Sequence, residues 1–282
     1  MNRRILVALS LLTIASAFSY LVFIQKPFLP DYFRSLAGGK GSPFAQISNI
    51  KKTTTLKVPI LTYHYVEDVT DERDTLRQSM ATRPFFFEEQ LKYLKNNDYV
   101  AVSLSELRQA LEGKIRLPEK SVILTFDDGY KDFYTDALPL LKKYQMKAIN
   151  YIIVNHLGRS GNLSEQMVVE MLQSGLVEIG CHTLNHEYLP RLKLEAAKKE
   201  IEECKSQLEA RFGVKVNHFA YPGGYYNQTV VNLVREAGFE TAVGTVPGVL
   251  HNFDNIYTLK RLRVGNLDAV SFGKHLEGPK EE

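Results

Sequence analysis

The chain has 282 residues, 44% of them hydrophobic, with a formal net charge of +3. That is enough apolar content for one large core or two modest ones. So small a charge gives no argument for nucleic acid as a partner.

The chain opens on Arg3 and Arg4, followed by an uncharged run from Ile5 to Ile24 and then Lys26 and Pro27. Roughly 20 residues at 1.5 Å each span about 30 Å of hydrocarbon. The leading arginines favour an inside N-terminus, so the bulk of the chain should be exported and membrane-anchored, facing the extracytoplasmic side. Ala15-Ser16-Ala17 has the small-x-small form of a signal-peptide cleavage site, which would give a secreted protein instead. The apolar run continues past that site, which favours a retained anchor. Residues 25–57 hold Pro27, Pro30, Gly38, Gly39, Gly41, Ser42 and Pro43 without a sustained period. They read as a tether. The expected organisation is a signal anchor or signal peptide over 1–24, a linker over 25–57 and a single domain over 58–282.

Within that domain strands and helices alternate. Residues 58–64 form a strand ending in His64, 67–83 a charged irregular loop, and 85–96 a helix with Phe87, Leu91 and Leu94 on one face. A short strand spans 99–102. Ser103 and Glu106 form a capping-box pattern that opens a helix to Leu111. The apolar run 121–126 is a strand, followed by a helix through Leu138, Leu141 and Tyr144, a strand over 148–154 and a helix from Ser164 to Ser174. Residues 177–182 form a strand ending in His182, and 194–212 a long amphipathic helix. A strand over 218–221 runs into Pro222-Gly223-Gly224. A helix over 227–237, strands over 241–243 and 262–264, and a terminal helix near 268–276 complete the chain. The fold class is therefore α/β, a distorted (β/α) barrel with parallel strands. Cys181 and Cys204 are an even count that permits a disulfide in an exported chain. Cys204 shares a helical stripe with Leu194, Ala197, Ile201 and Leu208, and Cys181 lies inside an apolar strand, so two buried thiols are the expectation.

The strand 121–126 stops at Asp127-Asp128-Gly129. Ligands of α/β folds collect at the carboxyl ends of strands, and adjacent carboxylates there repel unless a cation or a shared proton relieves them. A second strand closes in His182-Thr183-Leu184-Asn185-His186. On a helical turn, positions i and i+4 share a face, so these imidazoles would form a pair of metal ligands. With Asp128 they make a donor set that leaves positions open for water.

Thr125-Phe126-Asp127-Asp128-Gly129, His182-Thr183-Leu184-Asn185-His186 and Phe219-Ala220-Tyr221-Pro222-Gly223-Gly224 resemble the first three motifs of the NodB-homology polysaccharide deacetylases, carbohydrate esterase family 4, over roughly residues 58–264. The resemblance implies Asp127 as general base and Asp128, His182 and His186 as ligands of a divalent metal, usually zinc. Tyr221, Pro222 and Gly223 would line the substrate, with a backbone N–H near Gly223 stabilising the oxyanion. The implied reaction is metal-dependent hydrolysis of N-acetyl groups from a polysaccharide containing N-acetylglucosamine.

Ala220 stands where the common third motif has an arginine. This resembles the branch acting on poly-β-1,6-N-acetylglucosamine, although Gly223 replaces that branch's tyrosine. Arg261 resembles a later arginine of that branch and would partner Asp127. Trp is absent, so the tryptophan-containing fourth motif is missing and any sugar stacking must use Tyr or Phe. The fifth motif, Leu-x-His, which supplies the acid, has no clean counterpart. His64, on the correct rim, is the candidate acid or substrate contact. His275 reads as solvent-facing, and His156, His218 and His251 carry no stronger case. Two alternatives share the fold: a glycan-binding protein that has lost turnover, and an O-acetyl polysaccharide esterase.

Overall fold

A computed structural model describes residues 54–280. The expected anchor and most of the expected linker lie outside the described residues. Among the described residues no helix is long and apolar enough to cross a membrane.

The sheet follows from short apolar runs ending in turns. β1 (Leu56–Lys57), placed by the sequence at the end of the linker, pairs antiparallel with β9 (Leu250–His251). β2 (Ile60–Tyr63), β3 (Val100–Ala101), β4 (Ser121–Phe126), β5 (Ala148–Ile152), β6 (Val177–Cys181), β7 (His218–Ala220), β8 (Thr241–Val243) and β10 (Leu262–Arg263) form the main sheet. Its order is β10-β2-β4-β5-β6-β7-β8, with β3 beside the start of β4, and every pair is parallel. Leu259 bridges Val243 of β8, and three residues later Leu262 pairs with Leu61 of β2. One short segment thus reaches both edges of the sheet and curls it towards closure.

Successive strand residues point to opposite faces, and this parity divides the core. Ile60, Ile123, Ile149, Tyr151, Ala220, Val243 and Leu259 form an inner cluster with Leu104, Leu107 and Leu111. Those three leucines belong to α3 (Leu104–Leu111), which plugs the end of the sheet where the strands begin. Ser103 caps α3 through the expected box with Glu106. Leu61, Leu124, Phe126, Ile179, Cys181 and Phe219 alternate with the inner residues and meet the outer helices.

The outer helices are α2 (Pro84–Asn96), α4 (Leu138–Tyr144), α5 (Glu165–Gln173), α6 (Leu194–Phe212), α7 (Gln228–Glu236) and α8 (Ala269–His275). On α2, Phe87, Leu91 and Leu94 are fully buried. Burial at such positions is worth roughly 1.5–3 kcal/mol each.

Four features differ from expectation. The loop 67–83 contains α1 (Thr75–Met80), capped by Asp74 and with no buried residue. Six residues with only Leu76 and Met80 apolar are too short a stretch to show a period, and Leu76 stays exposed. The helix at Leu138 is preceded by a π-turn over Phe133–Ala137. His275 is not solvent-facing: it is partly buried, with Nε2 2.9 Å from the Arg263 carbonyl. Cys181 and Cys204 are buried but joined as a disulfide rather than left as two thiols. Cys181 faces outward from β6, α6 packs on that strand, and the Cα atoms are 6.0 Å apart, within bridging range. Each cysteine's burial was legible in one dimension, but their apposition was not.

Candidate active site

Inward parity carries directly into chemistry at the carboxyl ends of the strands. Ile123, Thr125 and Asp127 share one file of β4. Ile60, Thr62 and His64 share that of β2, and Leu259 and Arg261 that of the closing segment. Asp127 is 3% exposed and Arg261 1%. Arg261 grips both carboxylate oxygens, Nη1 to Oδ1 at 2.8 Å and Nη2 to Oδ2 at 2.7 Å. Its Nε donates to the Gly244 carbonyl and Nη1 also to the Thr125 hydroxyl. All its nitrogens are thereby held, and the bidentate fork fixes the carboxylate plane. Burial alone would raise the Asp127 pKa. The Arg261 charge and its hydrogen bonds outweigh burial and hold the carboxyl well below the usual carboxylate range. Ala220 also faces the interior, in the same apolar cluster as Val243 and Leu259.

Asp128 would point outward if the strand continued. A backbone kink prevents this: Asp128 has φ of 75° and Gly129 φ of 68°. A non-glycine residue in the left-handed region is uncommon and clusters at functional sites. The kink turns the second carboxylate to the same rim. There Oδ1 of Asp128 lies 3.3 Å from Nε2 of His182 and 3.5 Å from Nε2 of His186. Ligand atoms of the three residues all lie within 4.8 Å of one another.

The histidine pair is not on a helical turn as expected. Residues 182–186 are a loop with Thr183 and His186 at φ of 65° and 62°. The Thr183 hydroxyl accepts from the His186 N–H. Glu200 of α6 pins the loop from below: Oε2 accepts from the N–H groups of Leu184 and Asn185 at 3.0 Å, and Oε1 from the Asn185 amide at 2.6 Å. Sequence reasoning missed Glu200, although an acid on the buried stripe of Ala197, Ile201 and Cys204 was its available signal.

This donor set fits a divalent cation. Nδ1 of His182 is 2.8 Å from the Ala220 carbonyl and must donate to it, which leaves the Nε2 lone pair facing Asp128. Oδ1 of Asp128 is buried without a hydrogen-bond partner. An orphaned carboxylate oxygen between two imidazole nitrogens is the arrangement a cation would satisfy.

His64 joins the same rim, with Asp127, Asp128, Arg261 and His182 as its charged neighbours. Burial lowers its pKa, and the two carboxylates only partly oppose this. His156, on a turn after β5, also has Asp128 and His182 among its charged neighbours, a position the sequence did not single out. Tyr221 does not line the site with its side chain. It faces outward, packs on Phe219 and Tyr226, and donates its hydroxyl to the Tyr257 carbonyl. Pro222 is buried and has no N–H. In the turn that follows, Gly224 donates to the Tyr221 carbonyl and Tyr225 to that of Pro222. The Gly223 N–H comes one position too early for an acceptor within the turn. Gly223 has φ of 61° and is exposed on the rim.

A buried, arginine-clamped carboxylate beside an Asp-His-His donor set, at the carboxyl ends of a curled parallel sheet, defines a hydrolase of the polysaccharide deacetylase class. The family model described as polysaccharide deacetylase matches residues 114–242. YxkH of Bacillus subtilis (strain 168), which is named for the same family, is 32% identical over 82% of this chain and 80% of its own length. The chain belongs to the polysaccharide deacetylases of the NodB-homology type. The deacetylase PplD of Streptococcus pyogenes, solved in complex with acetate, is 31% identical, with a TM-score of 0.74 over 79% of this chain and all of that one. A poly-β-1,6-N-acetyl-D-glucosamine N-deacetylase of Staphylococcus aureus (strain MRSA252) is 27% identical over 64% of this chain and 66% of its own.

Proposed function

We propose that this chain is a zinc-dependent, extracytoplasmic N-deacetylase of polysaccharide containing N-acetylglucosamine. The observation that carries the reading is the juxtaposition of the ionised Asp127–Arg261 pair with the Asp128, His182 and His186 donor set. A divalent ion held by those three residues would supply Lewis acidity toward water and the acetyl carbonyl. Asp127, kept ionised by Arg261, accepts the proton of the attacking water. The Gly223 N–H meets the charge developing on the carbonyl oxygen. His64, on the same rim as Asp127 and Asp128, would give a proton to the departing amine, a very poor leaving group without one.

Two imidazoles and one carboxylate with open positions suit catalytic zinc, and iron, cobalt and nickel accept the same ligands. The β-1,6-linked substrate is inferred from the S. aureus relative and from the combination of Ala220 in the third motif with an Arg261–Asp127 pair. Export is inferred from the apolar run of residues 5–24 and from the Cys181–Cys204 disulfide, a bond of oxidising compartments. The intact mass of the membrane-extracted protein tests it. Loss of the first residues up to Ala17 would replace an anchored protein by a processed one.

The lack of a clean Leu-x-His acid in the sequence favours one second reading, an O-acetyl esterase, because an alkoxide needs less help from an acid than an amine does. Acetate release by the full chain from N-acetylated β-1,6-linked oligomers, set against O-acetylated xylan, separates the two. Preference for the first supports the deacetylase. Turnover of xylan alone would establish the esterase. Binding of either glycan with full metal occupancy and no release would mean a protein that has kept only recognition.

A further inference from the structure

Among the described residues, three aromatic side chains are more than a third exposed: Phe85, Tyr188 and Tyr225. Two of them stand side by side. The Tyr188 and Tyr225 rings have centroids 4.8 Å apart and are tilted by 56°, so they meet at an angle and leave open face to solvent. Tyr188 is 37% exposed and Tyr225 55%.

Both rings rise from the loops that carry the chemistry. Tyr188 lies two residues beyond His186, and Tyr225 two beyond Gly223. Two residues of chain reach at most about 7 Å, so each ring is anchored within a sugar's length of the acetyl site. Tyr225 lies over the oxyanion turn itself: a Cβ on Gly223 would come within 2.8 Å of its ring carbons. The glycine that departs from the related branch's tyrosine is therefore what admits this ring. Tyr226, the next residue, packs against buried Tyr221 with centroids 4.9 Å apart. Neighbours on extended chain point opposite ways, so anchoring Tyr226 keeps Tyr225 outward.

The other aromatic pair on this rim makes the contrast. Tyr65 and Tyr130 stack at 3.8 Å with their planes 21° apart, and the Arg77 guanidinium covers Tyr65 at 4.6 Å. Those faces are spent on one another. The faces of Tyr188 and Tyr225 are not, apart from Arg191, whose guanidinium lies 4.9 Å from the Tyr188 ring centre.

Taking the deacetylase reading as its basis, we propose that Tyr188 and Tyr225 form a stacking subsite for the pyranose ring next to the one that loses its acetyl group. A pyranose offers a flat face of C–H groups, whose positive edges suit the negative face of an aromatic ring. Arg191 adds a preference. A bare aromatic face attracts cations, and a deacetylated sugar carries one. With Arg191 already on Tyr188, a glucosammonium ion meets like charge, so the subsite takes a neutral, still-acetylated sugar.

The test compares the full chain with Tyr188→Ala, Tyr225→Ala and Tyr225→Phe on acetylated β-1,6-linked N-acetylglucosamine oligomers and on methyl acetate, an ester with no ring to stack on the tyrosines. Each alanine variant should raise KM for oligomers by about tenfold, with kcat and ester turnover within twofold of the parent. Tyr225→Phe should keep the parent KM. Unchanged KM in both alanine variants would overturn the proposal. So would a parallel loss on the ester, which would make the rings part of the centre. If the parent releases no acetate from any glycan, the deacetylase reading fails on its own. The subsite is then read from oligomer binding by calorimetry, where loss of binding in both alanine variants supports it and unchanged binding removes it.

Discussion

The two ends of the curled sheet each bury a histidine, and the difference between them defines the site. His182 at the end of β6 and His218 at the start of β7 are both 2% exposed. His218 has both ring nitrogens occupied, Nδ1 2.9 Å from the Thr241 hydroxyl and Nε2 3.1 Å from that of Ser105. Burial, helped by the Lys205 and Arg108 charges, pushes its pKa down to about 3 although a Glu178 carboxylate oxygen lies 3.6 Å away, so it is a neutral structural residue. His182 uses one nitrogen on the Ala220 carbonyl and aims the other at an acid whose own oxygen lacks a partner. Burial and residue type are the same at both ends. What distinguishes a working site is polar capacity left over after the fold has satisfied itself.

The sharpest way to break this comparison is at Asp127. Asp127→Asn should lower kcat for acetate release by about 10³-fold, while metal affinity measured by calorimetry stays near the parent's. Loss of both together would mean that the two carboxylates do not divide their labour. Next is the clamp. Arg261→Met leaves a buried carboxylate unpaired and should cost about 3–5 kcal/mol in urea unfolding. Combining it with Asp127→Asn should return a good part of that, and strict additivity would contradict the pair.

The opposite end is tested by acid. His218 binds its proton near pH 6.5 when unfolded and only near pH 3 when folded. Its contribution is therefore fully present above about pH 6.5 and lost as pH falls towards 3, by about 2–3 kcal/mol at pH 4.5. His218→Gln should flatten this part of the stability profile, measured with metal saturating. An unchanged slope would place the acid sensitivity elsewhere. The smallest effect is expected at Glu200. Glu200→Ala should weaken metal binding by about tenfold, because the loop holding both histidines loses its anchor. Unchanged affinity would show that the backbone contacts of that loop suffice.

The strands of the main sheet, and so the barrel rim, were legible because parallel strands buried on both faces read as unbroken apolar runs, whereas the short antiparallel pair β1 and β9 was not. Their polar ends announced Asp127, Asp128 and His182. Arg261 was legible only through resemblance, since its reach to Asp127 depends on one segment touching both edges of the sheet. Helix α1 was hidden because it buries nothing. The Cys181–Cys204 bond and the Glu200 anchor were hidden for a shared reason: each joins a strand or its loop to a helix packed across it, and periodicity describes one element at a time. Tyr221 was misjudged because a motif names residues without saying which way their side chains face, and inward parity assigns it outward.

The central claim is that the rim of Asp128, His182 and His186 works with Asp127 as one metal-dependent centre. The most direct test is to strip the full chain with chelator and titrate it with zinc, following bound metal and acetate release from β-1,6-linked oligomers at each step. The account predicts one site per chain and a rate that climbs in proportion to its occupancy. Acetate release from the stripped protein, or full occupancy without release, would contradict it.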